Sequence, residues 1–119
     1  MAHEQFKSCI DACVRCAEEC AHCGDACLSE PDIHMMAECI RLDRDCAHMC
    51  WTAAAFMSRG SHFAAEVCRL CADVCEACGD ECAKHEHFEH CRECSEVCHR
   101  CAEECRAMAR STGRLARAA

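Results

Sequence analysis

Nineteen of the 119 residues are cysteine, and their spacing is regular. Cys9, Cys13, Cys16, Cys20, Cys23 and Cys27 alternate steps of four and three. Cys68, Cys71, Cys75, Cys78 and Cys82 alternate the same steps, as do Cys91, Cys94, Cys98, Cys101 and Cys105. A sparser set, Cys39, Cys46 and Cys50, keeps the phase with Met36 and Asp43 standing in its gaps. Thiols can pair as disulfides, act in redox exchange, or ligate soft metal ions. Helical residues four apart lie about 6 Å apart with nearly parallel side-chain vectors, whereas a disulfide needs facing Cβ atoms at about 3.8 Å. An odd number of thiols also cannot pair fully within one chain. Thioredoxin-like chemistry uses one CxxC at a helix start in a βαβ setting, and the sequence carries no such setting. Metal ligation is the remaining use, because an ion between two sulfurs bridges a span that a disulfide cannot.

Soft thiolates select Cu(I), Zn(II) or iron–sulfur clusters. Zinc and iron–sulfur motifs gather their cysteines from turns and loops, whereas these pairs run continuously along helices. Cu(I) accepts two sulfurs in near-linear geometry, which suits both CxxxC on one helix and Cys facing Cys across helices. If each ion takes two thiolates and each thiolate bridges two ions, the ratio is one to one and the interior is neutral. Neutrality avoids the cost of burying unpaired charge. The ceiling is then about 19 Cu(I) per chain, one per cysteine. A general thiolate sink for zinc, cadmium or silver and a thiol redox protein are the alternatives.

These residues must be held by helices, because a repeat of 3.5 residues is that of the a and d positions of packed helices. Four helices follow. Pro31 marks the start of the second, Arg59-Gly60-Ser61 reads as a glycine stop followed by a serine N-cap, Lys84 to His87 forms a polar break, and Ser111-Thr112-Gly113 ends the last helix. Short connections make neighbours antiparallel. The expected fold is all-α, an up-down-up-down four-helix bundle over residues 1–110 with a Cys-lined core, followed by a flexible basic tail over 111–119. The bundle is a duplicated hairpin: CVRCAEECAHCGDAC from Cys13 repeats as CRLCADVCEACGDEC from Cys68. The same offset of 55 carries Cys39, Cys46 and Cys50 onto Cys94, Cys101 and Cys105, and Met36 and Asp43 onto Cys91 and Cys98.

Leu, Ile, Val and Phe together number only fifteen, below the roughly 20% expected of a packed globular chain. Either the chain is disordered or the cysteines are its core. The net charge of −8 argues against nucleic acid, which needs a basic footprint. No apolar window is long enough to cross a membrane. MAHEQFKSCIDAC shows no basic segment followed by an apolar stretch, so no secretory signal is read and a reducing cytoplasm is expected. Phe6, Trp51, Phe56, Phe63 and Phe88 flank the stripe and are read as helix–helix seams, some of them covering a subunit interface.

The CxxxC ladders, the stretch Cys39-Ile40-Arg41-Leu42-Asp43-Arg44-Asp45-Cys46-Ala47, the stretch Cys75-Glu76-Ala77-Cys78-Gly79-Asp80-Glu81-Cys82 and the His-rich run before Cys91 resemble the bacterial copper storage proteins, specifically their cytosolic branch. The resemblance covers roughly residues 4–109. It implies a homotetramer of bundles that stores many Cu(I) ions in each interior, with all nineteen cysteines as ligands and no enzymatic activity. A copper chaperone or small chelator is the expected donor or acceptor.

Antiparallel layering places Cys27, Met35, Met36, Cys82, His85, His87 and Cys91 at one bundle end, and Cys9, Met57, His62, Cys105 and Met108 at the other. His85 follows Cys82 by three residues and His87 precedes Cys91 by four, so both are expected to point along the ladder at a copper mouth, as the resemblance also implies. Imidazole and thioether hold Cu(I) less tightly than thiolate, which suits transfer. His90 is off phase. Met36 is read as a ligand or as filler. Asp43 is read as an inner ligand, as a thiol's hydrogen-bond partner, or as turned aside with Leu42 inward. His3, His22, His34, His48 and His99 fall on outer positions.

Overall fold

The computed structural model describes the backbone of residues 2–118 and the side chains of residues 4–112. It holds a one-turn helix α1 (Ala2–Gln5) and four long helices: α2 (Lys7–Cys27), α3 (Ile33–Ser58), α4 (Ala64–Ala83) and α5 (Glu89–Ala118). Each long helix packs on its chain neighbour, and α2 also packs on α5, closing an antiparallel four-helix bundle. The short α1 is an addition to the four expected elements.

The caps explain the boundaries. Asp32 is the N-cap of α3 and its carboxylate accepts the Met35 amide at 3.3 Å, so Pro31 falls just outside the helix. At the other end Gly60 takes a left-handed φ of 63°. The Gly60 amide donates to Met57 O at 3.1 Å and the Ser61 amide to Phe56 O at 3.0 Å, the paired bonds of a Schellman stop. Phe63, not Ser61, is the N-cap residue of α4, while the Ser61 hydroxyl accepts the Phe63 amide at 3.0 Å in the turn before it. Gly113 does not stop the last helix: α5 runs through it to Ala118. Nothing there forces a left-handed residue, and Gly60 is the positive-φ glycine among the described residues.

The core is sulfur and methyl groups. Ala17, Ala47, Ala53, Ala54, Ala72 and Ala102 are buried on the seams, and such small side chains let the helices approach closely. Phe6 is buried and Phe56 lies under the Arg59 guanidinium, 4.5 Å from it. Trp51 and Phe63 are 48% and 65% exposed, so the seam reading fails for both within one chain. His22, His34 and His48 are exposed as expected; the side chain of His3 lies outside the described residues. His99 is half-buried over Gly79 and bonds Asp80 at 2.8 Å.

Candidate metal centre

A 3.5-residue repeat on four antiparallel helices turns every cysteine to the same interior, and the structure places them there. All nineteen are fully buried and none is bridged to another. At the end formed by the starts of α2 and α4, Cys105 lies 3.7 Å from Cys9 and 3.6 Å from Cys13, and Cys13 lies 3.8 Å from Cys101. Cys68 belongs to this end and also faces Cys9. Further in, Cys50 lies 3.7 Å from Cys71 and 3.5 Å from Cys75, and Cys46 lies 3.6 Å from Cys75. Cys16 then joins Cys46 and Cys98, and Cys20 approaches Cys98 to 3.4 Å and Cys94 to 3.7 Å. Toward the other end Cys39 lies 3.4 Å from Cys82 and 3.9 Å from Cys27, and Cys91 lies 3.9 Å from Cys23.

Two metal–sulfur bonds of about 2.3 Å, as in zinc thiolates, span gaps of this size. Several sets of four converge, with all ligand atoms within 4.8 Å of one another: Cys13, Cys71, Cys101 and Cys105; Cys16, Cys46, Cys50 and Cys75; Cys20, Cys78, Cys94 and Cys98. A further set, Cys16, Cys20, Cys46 and Cys98, shares two cysteines with each of the last two and links them along the axis.

Asp43 stands inside this column, not beside it. It is fully buried. Its Oδ1 accepts from Cys78 at 3.1 Å, Cys94 at 3.3 Å and Cys82 at 3.6 Å, and its Oδ2 accepts from Cys39 at 3.7 Å. Burial first, and then the thiols of Cys94 and Cys78, push its carboxyl up to about 11. Burial, and then nearby Cys39, push Cys91 up to about 12 and Cys27 upward as well. These thiols keep their protons until an ion displaces them. Met36 is buried in the same cluster on the first turn of α3.

The histidines differ from the expectation. His85 is buried, but its Nε2 pairs with Glu81 at 3.1 Å instead of facing the sulfurs. His87 is exposed and rests against Phe88. His90 is the one that closes the column: its Nδ1 lies 3.4 Å from Cys23, 3.5 Å from Cys91 and 4.0 Å from Cys27. Helical phase alone placed it aside. It occupies the first turn of α5, where the ring reaches inward past Cys91 toward α2.

A sequence profile of the copper storage proteins matches residues 2–110. The chain belongs to the copper storage protein family. The Cu(I)-bound copper storage protein BsCsp3 superposes with a TM-score of 0.83 at 48% identity, over 92% of this chain and 99% of that one. The apo form of copper storage protein 3 from Bacillus subtilis gives 0.82 at 50% identity, over 87% and 97%. A cytosolic copper storage protein from Streptomyces lividans, described with five coppers, gives 0.86 at 44% identity, over 91% and 94%. No curated protein matches the chain. The family named on the cysteine ladders is therefore the family of the whole bundle, and near-complete coverage leaves its architecture intact in this member.

Proposed function

We propose that the chain stores Cu(I) in its interior column, about one ion per cysteine at saturation. The observation that carries this is nineteen fully buried, unbridged thiols, most of them in contacts of 3.4 to 4.0 Å. One positive charge per thiolate leaves the interior neutral, which a narrow low-dielectric space requires. The ligands are Cys9, Cys13, Cys16, Cys20, Cys23, Cys27, Cys39, Cys46, Cys50, Cys68, Cys71, Cys75, Cys78, Cys82, Cys91, Cys94, Cys98, Cys101 and Cys105, joined by His90 at the end and Asp43 within. Met36 fills space beside them. His85, held by Glu81, and the exposed His87 stand outside the ligand set. Copper passes inward from the His90 end by exchange between thiolates, each step releasing a proton.

The store acts in the cytosol, as its Streptomyces relative is described, and is not an enzyme. The exposed Trp51 and Phe63 are surfaces for assembly into a tetramer. A copper chaperone or a small chelator supplies and removes the ions. A thiol redox role lacks its requirement, an accessible thiol, because every cysteine has zero exposure. The test is an anaerobic titration of reduced protein with Cu(I) against a competing chelator, with native mass spectrometry of the product. Saturation near 19 ions per chain is expected; saturation at four or fewer overturns the reading.

A further inference from the structure

The His90 ring is held from three directions. Nδ1 faces the sulfurs of Cys23, Cys27 and Cys91. One face stacks on Phe88, with ring centroids 5.7 Å apart and planes within 10°. Nε2 is buried without a hydrogen-bond partner, and the Glu30 carboxylate Oε1 lies 3.7 Å from it. Glu30 sits in the connection between α2 and α3, where its amide donates to Cys27 O at 3.2 Å. The segment that ends in one thiol facing His90 thus delivers the carboxylate behind it.

A neutral imidazole carries one proton, and the nitrogen without it is the one that ligates. Histidines that hold metals commonly donate their other N–H to a carboxylate, which fixes tautomer and ring orientation. We propose that Glu30 is a positioning residue for copper uptake: it keeps the His90 proton on Nε2 and presents Nδ1 to Cys23, Cys27 and Cys91. The present separation of 3.7 Å lies just beyond hydrogen-bond length. This rests on the reading of His90 as a ligand of the column. The duplication supplies a contrast. At the offset of 55, Glu30 corresponds to His85 and His90 to Met35. His85 is engaged by Glu81 and Met35 is 58% exposed. The pair joins the two hairpins and its repeat-related counterpart, His85 with Met35, does not reproduce it, so at this end His90 is the imidazole oriented toward the sulfurs.

The experiment uses Glu30→Ala, Glu30→Gln and His90→Ala in the full chain, with circular dichroism establishing that each is folded. Nitrogen-15 NMR of the apo protein at pH 8 reads the His90 tautomer. The Nε2–H form is expected in the wild type and in Glu30→Gln, whose amide oxygen still accepts, and a mixture in Glu30→Ala. In chelator competition at about one equivalent of Cu(I), Glu30→Ala is expected to weaken binding about 10-fold or more. Glu30→Gln recovers most of that loss, and Glu30→Ala adds nothing in a His90→Ala background. An unchanged tautomer together with unchanged affinity in Glu30→Ala overturns the proposal. Unchanged affinity in His90→Ala overturns the ligand reading instead, and the tautomer measurement still decides whether Glu30 holds the ring.

Discussion

Cys39 and Cys78 are joined through the carboxyl group of Asp43: the Cys39 thiol donates to Oδ2 at 3.7 Å and the Cys78 thiol to Oδ1 at 3.1 Å. Cys82 and Cys94 meet on the same Oδ1. Cys82 also faces Cys78 and Cys94 directly, and Cys23 faces Cys94, so sulfur contacts continue past the carboxyl on its flanks. The column therefore carries one oxygen-lined station among its sulfurs, at the position where the second hairpin has Cys98.

Asp43 lowers apo stability at neutral pH. Its folded value of about 11 lies above its ordinary 3.8, so the native chain keeps a proton that the unfolded chain has lost. The contribution of this group is complete below the unfolded value and declines as pH rises toward the folded one. Asp43→Asn keeps an acceptor without the proton uptake. It is expected to raise apo stability at pH 8 by about 1–3 kcal/mol, and by clearly less at pH 4. Thermal unfolding in reductant at the two pH values checks this; an equal gain at both contradicts it.

Cys20 touches Cys16, Cys78, Cys94 and Cys98. Replacing it by Ser removes a soft ligand from the middle of the column. The expected loss is about one or two Cu(I) per chain at saturation, with the fold retained. Native mass spectrometry of the loaded variant gives the count, and an undiminished capacity argues against sulfur as the ligand there.

Because every thiol is buried and carries no bridge, the native apo protein should react slowly with an aromatic disulfide reagent at all nineteen positions. Denaturant should release the full count at once, because burial withholds the thiols from attack. A single fast thiol in the folded protein contradicts this and revives the redox reading.

Gly24 and Gly79 are equivalent in the repeat but not in packing. A methyl group on Gly24 meets Asp43 Cβ at 3.4 Å, an ordinary contact, whereas one on Gly79 falls 2.8–3.0 Å from the His99 ring. Gly24→Ala is expected to stabilise by about 0.5–1 kcal/mol through helix propensity. Gly79→Ala should lose that gain or destabilise by about 1 kcal/mol through overpacking, and His99→Ala should suppress the loss. Urea unfolding of the three variants and the Gly79→Ala/His99→Ala double variant decides it.

The helices and their inward faces were legible in the sequence because one residue type repeats in one phase, and the offset of 55 exposed the duplication. Asp43 was recognisable as an anomaly on that phase, but only the structure shows four thiols donating to it. The histidine end was placed correctly, but the ring that faces the sulfurs is His90 and not the expected His85 or His87, for a physical reason. Phase describes residues inside a helix, whereas residues 85–90 span a turn and a first turn. There Glu81 captures His85, while Phe88 and the neighbourhood of Glu30 set the direction of His90. Gly113 looked like a stop, but glycine ends a helix only where the backbone turns left-handed, as at Gly60.

The bundle measures 54 × 18 × 17 Å, and Phe6 and Met57 are buried at the end away from His90. An interior this slender, with copper entering at the His90 end as proposed above, fills and empties along its length. On that route, ions that arrive first settle beyond Asp43 toward the far end, and later arrivals stay nearer the mouth. Removal follows the reverse sequence, last in and first out. A cell drawing on such a reserve meets a recent, quickly exchanging fraction first and an older, slower fraction only under sustained demand.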